Sequence, residues 1–131
     1  MNEELDNQLV EKYAKIFADR HKSPTETCMY WGFECGSGWY NLIDSLCSTI
    51  QHYLDYKPNV PQVVAEQVKE KFGTLRFYFR GGDPYIHGLV DMACCLTKSI
   101  CEICGNLGEI RNDGWIKVRC DKCLEKKDED D

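Results

Sequence analysis

Cys101-Glu-Ile-Cys104 and Cys120-Asp-Lys-Cys123 form two CxxC pairs with fifteen residues between them. This is the spacing of a four-thiolate metal site, and it restricts the fold more than any other feature of the chain. Two residues between cysteines let one tight turn present both sulfurs to a single ion. A fifteen-residue loop can form a β-hairpin and return the second pair to the first. Gly105 supplies the unusual backbone angle that a metal knuckle needs. Gly108 and Asn112-Asp113-Gly114 are turn signals, and Trp115–Arg119 alternates as a strand does. The second pair then opens a short helix over Asp121–Lys126. Knuckle, hairpin and helix in that order resemble a treble-clef finger more than a symmetric zinc ribbon. The expected ligands are Cys101, Cys104, Cys120 and Cys123, around one structural Zn²⁺, with rubredoxin-like iron as the alternative for the same donors. A site closed by four cysteines has no open position for Lewis-acid chemistry.

The rest of the chain is an α+β core. Leu5, Leu9, Tyr13, Ile16 and Phe17 recur at helical spacing and predict a helix from Leu5 to about Arg20, with Asp6 and Asp19 facing away from the core. Ser23-Pro24 ends it, and residues 21–38 follow as a poorly periodic, aromatic-rich connection. A second helix is expected from Trp39 to Tyr56, stopped by Lys57-Pro58. Leu75, Phe77 and Phe79 alternate with Arg76, Tyr78 and Arg80, a strand signature. Val63 to Lys71 reads as its hairpin partner through a turn at Phe72-Gly73, with a short helix as the alternative. Asp83-Pro84 caps a third helix running to about Ser99, with Ile86, Leu89, Val90, Ala93, Leu96, Thr97 and Ile100 inward. The expected organisation is a core over 1–100, a finger over 101–124 docked on the third helix, and an acidic tail over 125–131. Ile110, Trp115, Ile116 and Val118 of the finger would complete the core.

Other chemistry has little support in these residues. His21, His52 and His87 are scattered, and no histidine follows His87, which argues against a histidine–metal nuclease. There is no nucleophile elbow and no phosphate loop; Gly36-Ser37-Gly38 is too short for one. The chain is therefore expected not to be an enzyme. Of nine cysteines, Cys47, Cys94 and Cys95 read as small buried hydrophobes. Cys28 and Cys35 share a loop but fit no ligand spacing for a second metal.

With 22 acidic against 16 basic side chains, the chain lacks the positive field that nonspecific nucleic-acid binding needs. A local basic cluster remains on the expected hairpin, at Lys69, Lys71, Arg76 and Arg80. With Trp31 and Trp115, these are the candidate partner-binding residues. The longest apolar run, Met92–Leu96, is five residues, against the ~20 of a membrane-spanning helix. The opening MNEELDNQ has no signal-peptide pattern, so a cytoplasmic protein is expected.

Three stretches, FECGSGWYNLIDSL (33–46), QVKEKFGTLRFYF (67–79) and CEICG with its later CDKC, resemble small uncharacterised zinc-finger-containing proteins of tailed bacteriophages and prophages. The likeness covers roughly residues 30–124. It implies a bacterial host cytoplasm and an accessory role in infection or lysogeny, and it supplies no mechanism. Three functions are compatible with these readings. The first is a protein–protein interaction that modulates a host or anti-phage defence factor. The others are a nucleic-acid-binding finger in phage gene regulation and an acidic nucleic-acid mimic.

Overall fold

A computed structural model describes residues 1–127. The remainder of the expected acidic tail, 128–131, lies outside the described residues. The architecture is α+β, with three helices, a three-stranded sheet and a separate two-stranded hairpin carrying the cysteine pairs.

The first helix, α1 (Glu3–Lys12), is capped by the Asn2 side chain, which accepts from the Leu5 N–H. It stops eight residues short of the expected end. Ile16 and Phe17 are buried as the periodicity requires, but the Ile16 carbonyl accepts from the Ala65 N–H at 2.7 Å. That bond to a distant strand replaces an intrahelical one, and the chain resumes as a single 3-10 turn at Ala18–His21. Asp6 and Asp19 also depart from expectation, since both are buried. Each takes an arginine: Arg20 lies 3.1 Å from Asp6, and Arg80 lies 2.7 Å from Asp19. A buried carboxylate is tolerable only with such a partner.

Residues 21–38 hold more structure than their lack of period suggests. A 3-10 turn at Cys28–Trp31 leads into a two-residue strand, β1 (Phe33–Glu34), and then a 3-10 turn at Ser37–Trp39. Helix α2 (Tyr40–Asp55) follows as the apolar stripe predicts, with Ile43, Leu46, Ile50 and Leu54 buried. Strands β2 (Val64–Lys71) and β3 (Thr74–Arg80) pair antiparallel with Val68 opposite Phe77, so the strand reading of 63–71 holds. β1 adds to the far side of β2 in parallel, with Phe33 beside Val68.

Helix α3 (Pro84–Leu96) has the expected Asp83 cap, and Ile86, Val90 and Ala93 are buried. It covers the free edge of β3. Thr97, fully buried, accepts from the Leu75 N–H at 3.0 Å, and the Cys94 thiol faces the Phe77 backbone N–H. An edge strand so covered cannot template another chain. Leu96 is not inward as expected but 47% exposed, and Cys95 is exposed rather than buried. Leu96 and Met92 instead border an apolar groove of about 520 Å³ between α2 and α3. No helix among the described residues is long and apolar enough to cross a membrane.

Candidate metal centre

The C-terminal unit is built from the knuckle at 101–105, the strands β4 (Glu109–Asn112) and β5 (Ile116–Arg119), and a 3-10 turn at Asp121–Cys123. The knuckle closes by a Gly105 N–H donating to the Cys101 carbonyl at 2.9 Å, with Gly105 at φ +81°. The hairpin pairs Ile110 with Val118 and returns the second cysteine pair to the first. The expected helix over Asp121–Lys126 is only one 3-10 turn, extended by a Lys126 N–H to the Cys123 carbonyl.

The four sulfurs of Cys101, Cys104, Cys120 and Cys123 lie within 4.8 Å of one another. Cys104 and Cys120 Sγ are 3.7 Å apart. A tetrahedral site with bonds of ~2.3 Å spaces its sulfurs by about 3.8 Å; a disulfide would need ~2.05 Å. The donor set therefore fits a tetrahedral thiolate-bound metal. Burial opposes the Cys101 thiolate, but the backbone N–H groups of Cys104, Cys120 and Ile103 outweigh it and bring the thiol below its ordinary value. Cys123 is pushed up, first by burial and then by the neighbouring sulfurs. Without a cation, then, the cluster resists full ionisation; a bound cation reverses that balance.

The unit is anchored by two close approaches at glycines. The Gly38 N–H donates to the Glu102 carbonyl, and the Gly36 N–H to Glu102 Oε2, both at 2.8 Å. A Cβ on Gly36 would lie 2.2 Å from the Glu102 carbonyl oxygen, and one on Gly38 would lie 2.2 Å from that of Cys101. Gly36-Ser37-Gly38 is thus the seat of the knuckle. Beside it the buried Trp39 indole donates to the Ile100 carbonyl at 2.9 Å. Glu102 also meets Arg119 at 3.5 Å, and both side chains are nearly inaccessible. The second approach is at Gly73, where a Cβ would meet Ile116 Cγ2 at 3.3 Å and Val118 Cγ2 at 3.6 Å.

The expected contribution of the finger to the core is therefore partial. Val118 is fully buried and Ile116 half-buried, but Ile110 and Trp115 are 48% and 69% exposed. Trp115 follows Gly114, itself at φ +103°, and its ring stands beside Phe72 across a cleft of about 370 Å³. Residues Phe72-Gly73 form the two-residue turn between β2 and β3, and both have positive φ, +53° and +82°. Phe72 is the described non-glycine residue with positive φ.

The other candidate residues separate. Lys71 lies over the Phe72 ring at 5.7 Å and lines the same cleft. Lys69 sits in register with Arg76 on one side and Glu34 on the other. Arg76 lines a different cleft with Asp91, Cys94, Cys95 and Lys98. Arg80 is bidentate on Asp19, at 2.7 and 3.0 Å, and also meets Glu66. Trp31 is exposed and edge-on to Tyr30. Cys28 and Cys35 join no converging group of three or more ligand side chains among the described residues. Phe72 was not a sequence candidate. Its signal was present: an aromatic stands at a turn position that favours Asn, Asp or Gly.

No family model, no curated protein and no solved structure matches this chain.

Proposed function

We propose that this is a non-enzymatic zinc protein of phage or prophage type that works in the bacterial host cytoplasm by binding another protein, a host or anti-phage defence factor. One observation carries the reading: Trp115 and Phe72 stand 69% and 66% exposed on two hairpin turns that meet where Ile116 and Val118 pack at Gly73. Large aromatic rings left in solvent add no burial energy to the fold, and such rings are typical anchors of protein interfaces. Zinc is the metal that four thiolates with no open position suit best, and its role there is structural. The phage context rests on the resemblance of 33–46, 67–79 and the CEICG and CDKC motifs.

Nucleic-acid binding is the weaker reading. Four of the five arginines are spent within the molecule: Arg20 on Asp6, Arg80 on Asp19, Arg111 on Asp121 and Arg119 on Glu102. Base and phosphate recognition leans on free arginine forks.

The test is affinity capture from a host lysate with metal-loaded protein and with Cys104→Ser, with the metal measured on the same samples. A protein retained by the first and released by the second supports the reading. No retention above background overturns it, and iron in place of zinc overturns the metal assignment.

A further inference from the structure

Phe72 is an unusual choice for its position. A two-residue hairpin turn with both φ values positive is best filled by Asn-Gly or Asp-Gly. A bulky residue in the left-handed region is strained. Burial would be the usual compensation, yet the ring is 66% exposed. The sequence accepts strain at this turn and recovers no core packing from it. Strained, solvent-facing positions of this kind concentrate at binding sites.

The cleft beside that ring has a definite chemistry. Its walls are Phe72, Trp115 and Ile116, with Gly114 and Asn112 at the hairpin end. At about 370 Å³ it has room for one large side chain. Glu70 borders it, but the Glu70 carboxylate accepts the Gly73 N–H at 2.7 Å and serves the turn. A second cleft of about 400 Å³, also bordered by Trp115, carries Lys117, Lys126 and Lys127 together with Glu125. With Lys71, four lysines flank the two rings, and none is ion-paired among the described residues. Among the described residues these four lysines face two carboxylates, Glu70 and Glu125, in the lining of the two clefts, on a chain of net charge −6. An apolar centre with an unpaired cationic rim is the anatomy of a protein interface that selects an acidic partner.

We infer that the cleft between Phe72 and Trp115 is the docking site for an acidic, extended segment of a partner protein, with one apolar side chain inserted between the rings and its carboxylates on Lys71 and Lys117. The inference rests on the protein-binding reading above and names the chemistry of the partner. Trp115 is held by the metal-bound hairpin and Phe72 by the core hairpin, and Ile116 and Val118 packed at Gly73 fix their separation. The site is complete only when the metal centre is folded.

The experiment is a selection of displayed random peptides of about twelve residues, ~40 Å when extended, on the zinc-loaded full chain. The expected winners carry Asp and Glu around a Trp, Phe, Leu or Ile. A winner, synthesised and labelled, is expected to bind Phe72→Asn at least about tenfold more weakly, although this variant melts no lower than the parent because Asn suits the turn. Trp115→Ala and the double change Lys71→Glu, Lys117→Glu are expected to weaken binding similarly. Neutral or basic winners overturn the inference, as does unchanged binding to Phe72→Asn. Tighter binding of a twenty-mer of oligothymidylate through the same two rings assigns the surface to nucleic acid and also overturns it. Winners lost on Met92→Glu instead move the site to the α2–α3 groove, and the protein-binding reading survives. If no peptide is enriched while lysate capture retains a protein, the acidic-segment inference alone fails.

Discussion

Removing the metal should destabilise the whole molecule, not the C-terminal unit alone. The linkage between the two runs through bonds already described. The Gly36 and Gly38 N–H groups reach Glu102, and the Trp39 indole reaches the Ile100 carbonyl. Three hydrogen bonds at about 1 kcal/mol each, with the burial of Val118 at roughly 1.5 kcal/mol, make a coupling of about 4–5 kcal/mol. Against a typical total of ~5–15 kcal/mol, that is a large share. A chain of this size loses about 3–4 °C of Tm per kcal/mol, so chelation under reducing conditions should lower the melting of the core by roughly 15 °C. Calorimetry of loaded and chelated samples, followed by near-ultraviolet circular dichroism of the buried Trp39 indole, measures it. The expected record is one transition, moved down. Two resolved transitions, with the upper one where the loaded protein melts, would refute the coupling and make the finger an independent module.

Gly38→Ala should fail for a steric reason, since its Cβ would stand 2.2 Å from the Cys101 carbonyl oxygen and 2.6 Å from the Glu102 carbonyl carbon. Both are backbone atoms, so a loss of about 3 kcal/mol or more and a reduced metal content are expected, read by melting and elemental analysis. Asp19 is held down to about 2, first by Arg80 and then by Lys22, against the opposing effect of burial. A carboxyl with a folded value below its unfolded one stabilises the fold above pH ~4, and loses that contribution as pH falls towards 2. Asp19→Asn should therefore cost about 2 kcal/mol at neutral pH and flatten the acid limb of the stability curve, measured by denaturant titration from pH 2 to 7. Alkylation mapped by mass spectrometry should mark the exposed Cys28 and Cys95 in the loaded protein and spare Cys47, whose thiol burial pushes far up. Chelation should add Cys104 and its three partners.

The ligand set was legible because two CxxC pairs at this spacing specify a local structure. Helices α2 and α3 and the β2–β3 hairpin were legible for a similar reason, since period and caps are short-range signals. What escaped depends on distant partners. The failure of the first helix to run on to Arg20 goes with a bond between Ile16 and Ala65, and the inward turn of Asp19 follows from Arg80. Neither leaves a trace in local period. Strand β1 is two residues long, too short to alternate. Leu96 and Met92 fit an apolar stripe whether or not a neighbour covers them. The glycines at 36, 38 and 73 were visible as glycines, but their purpose appears only when the knuckle and the second hairpin are laid on them.

The seat at Gly36-Ser37-Gly38 also sets an order of events during synthesis. Residues 36–38 leave the ribosome more than sixty positions before Glu102, and β5 follows later still. In that interval the indole of Trp39 lacks its acceptor and the two glycine amides are bare. A nascent or truncated chain is therefore open to proteases and chaperones until the last thiolates emerge and capture an ion. The level of this protein should consequently follow the supply of the metal that its thiolates bind, falling by degradation in a metal-starved culture while transcription is unchanged.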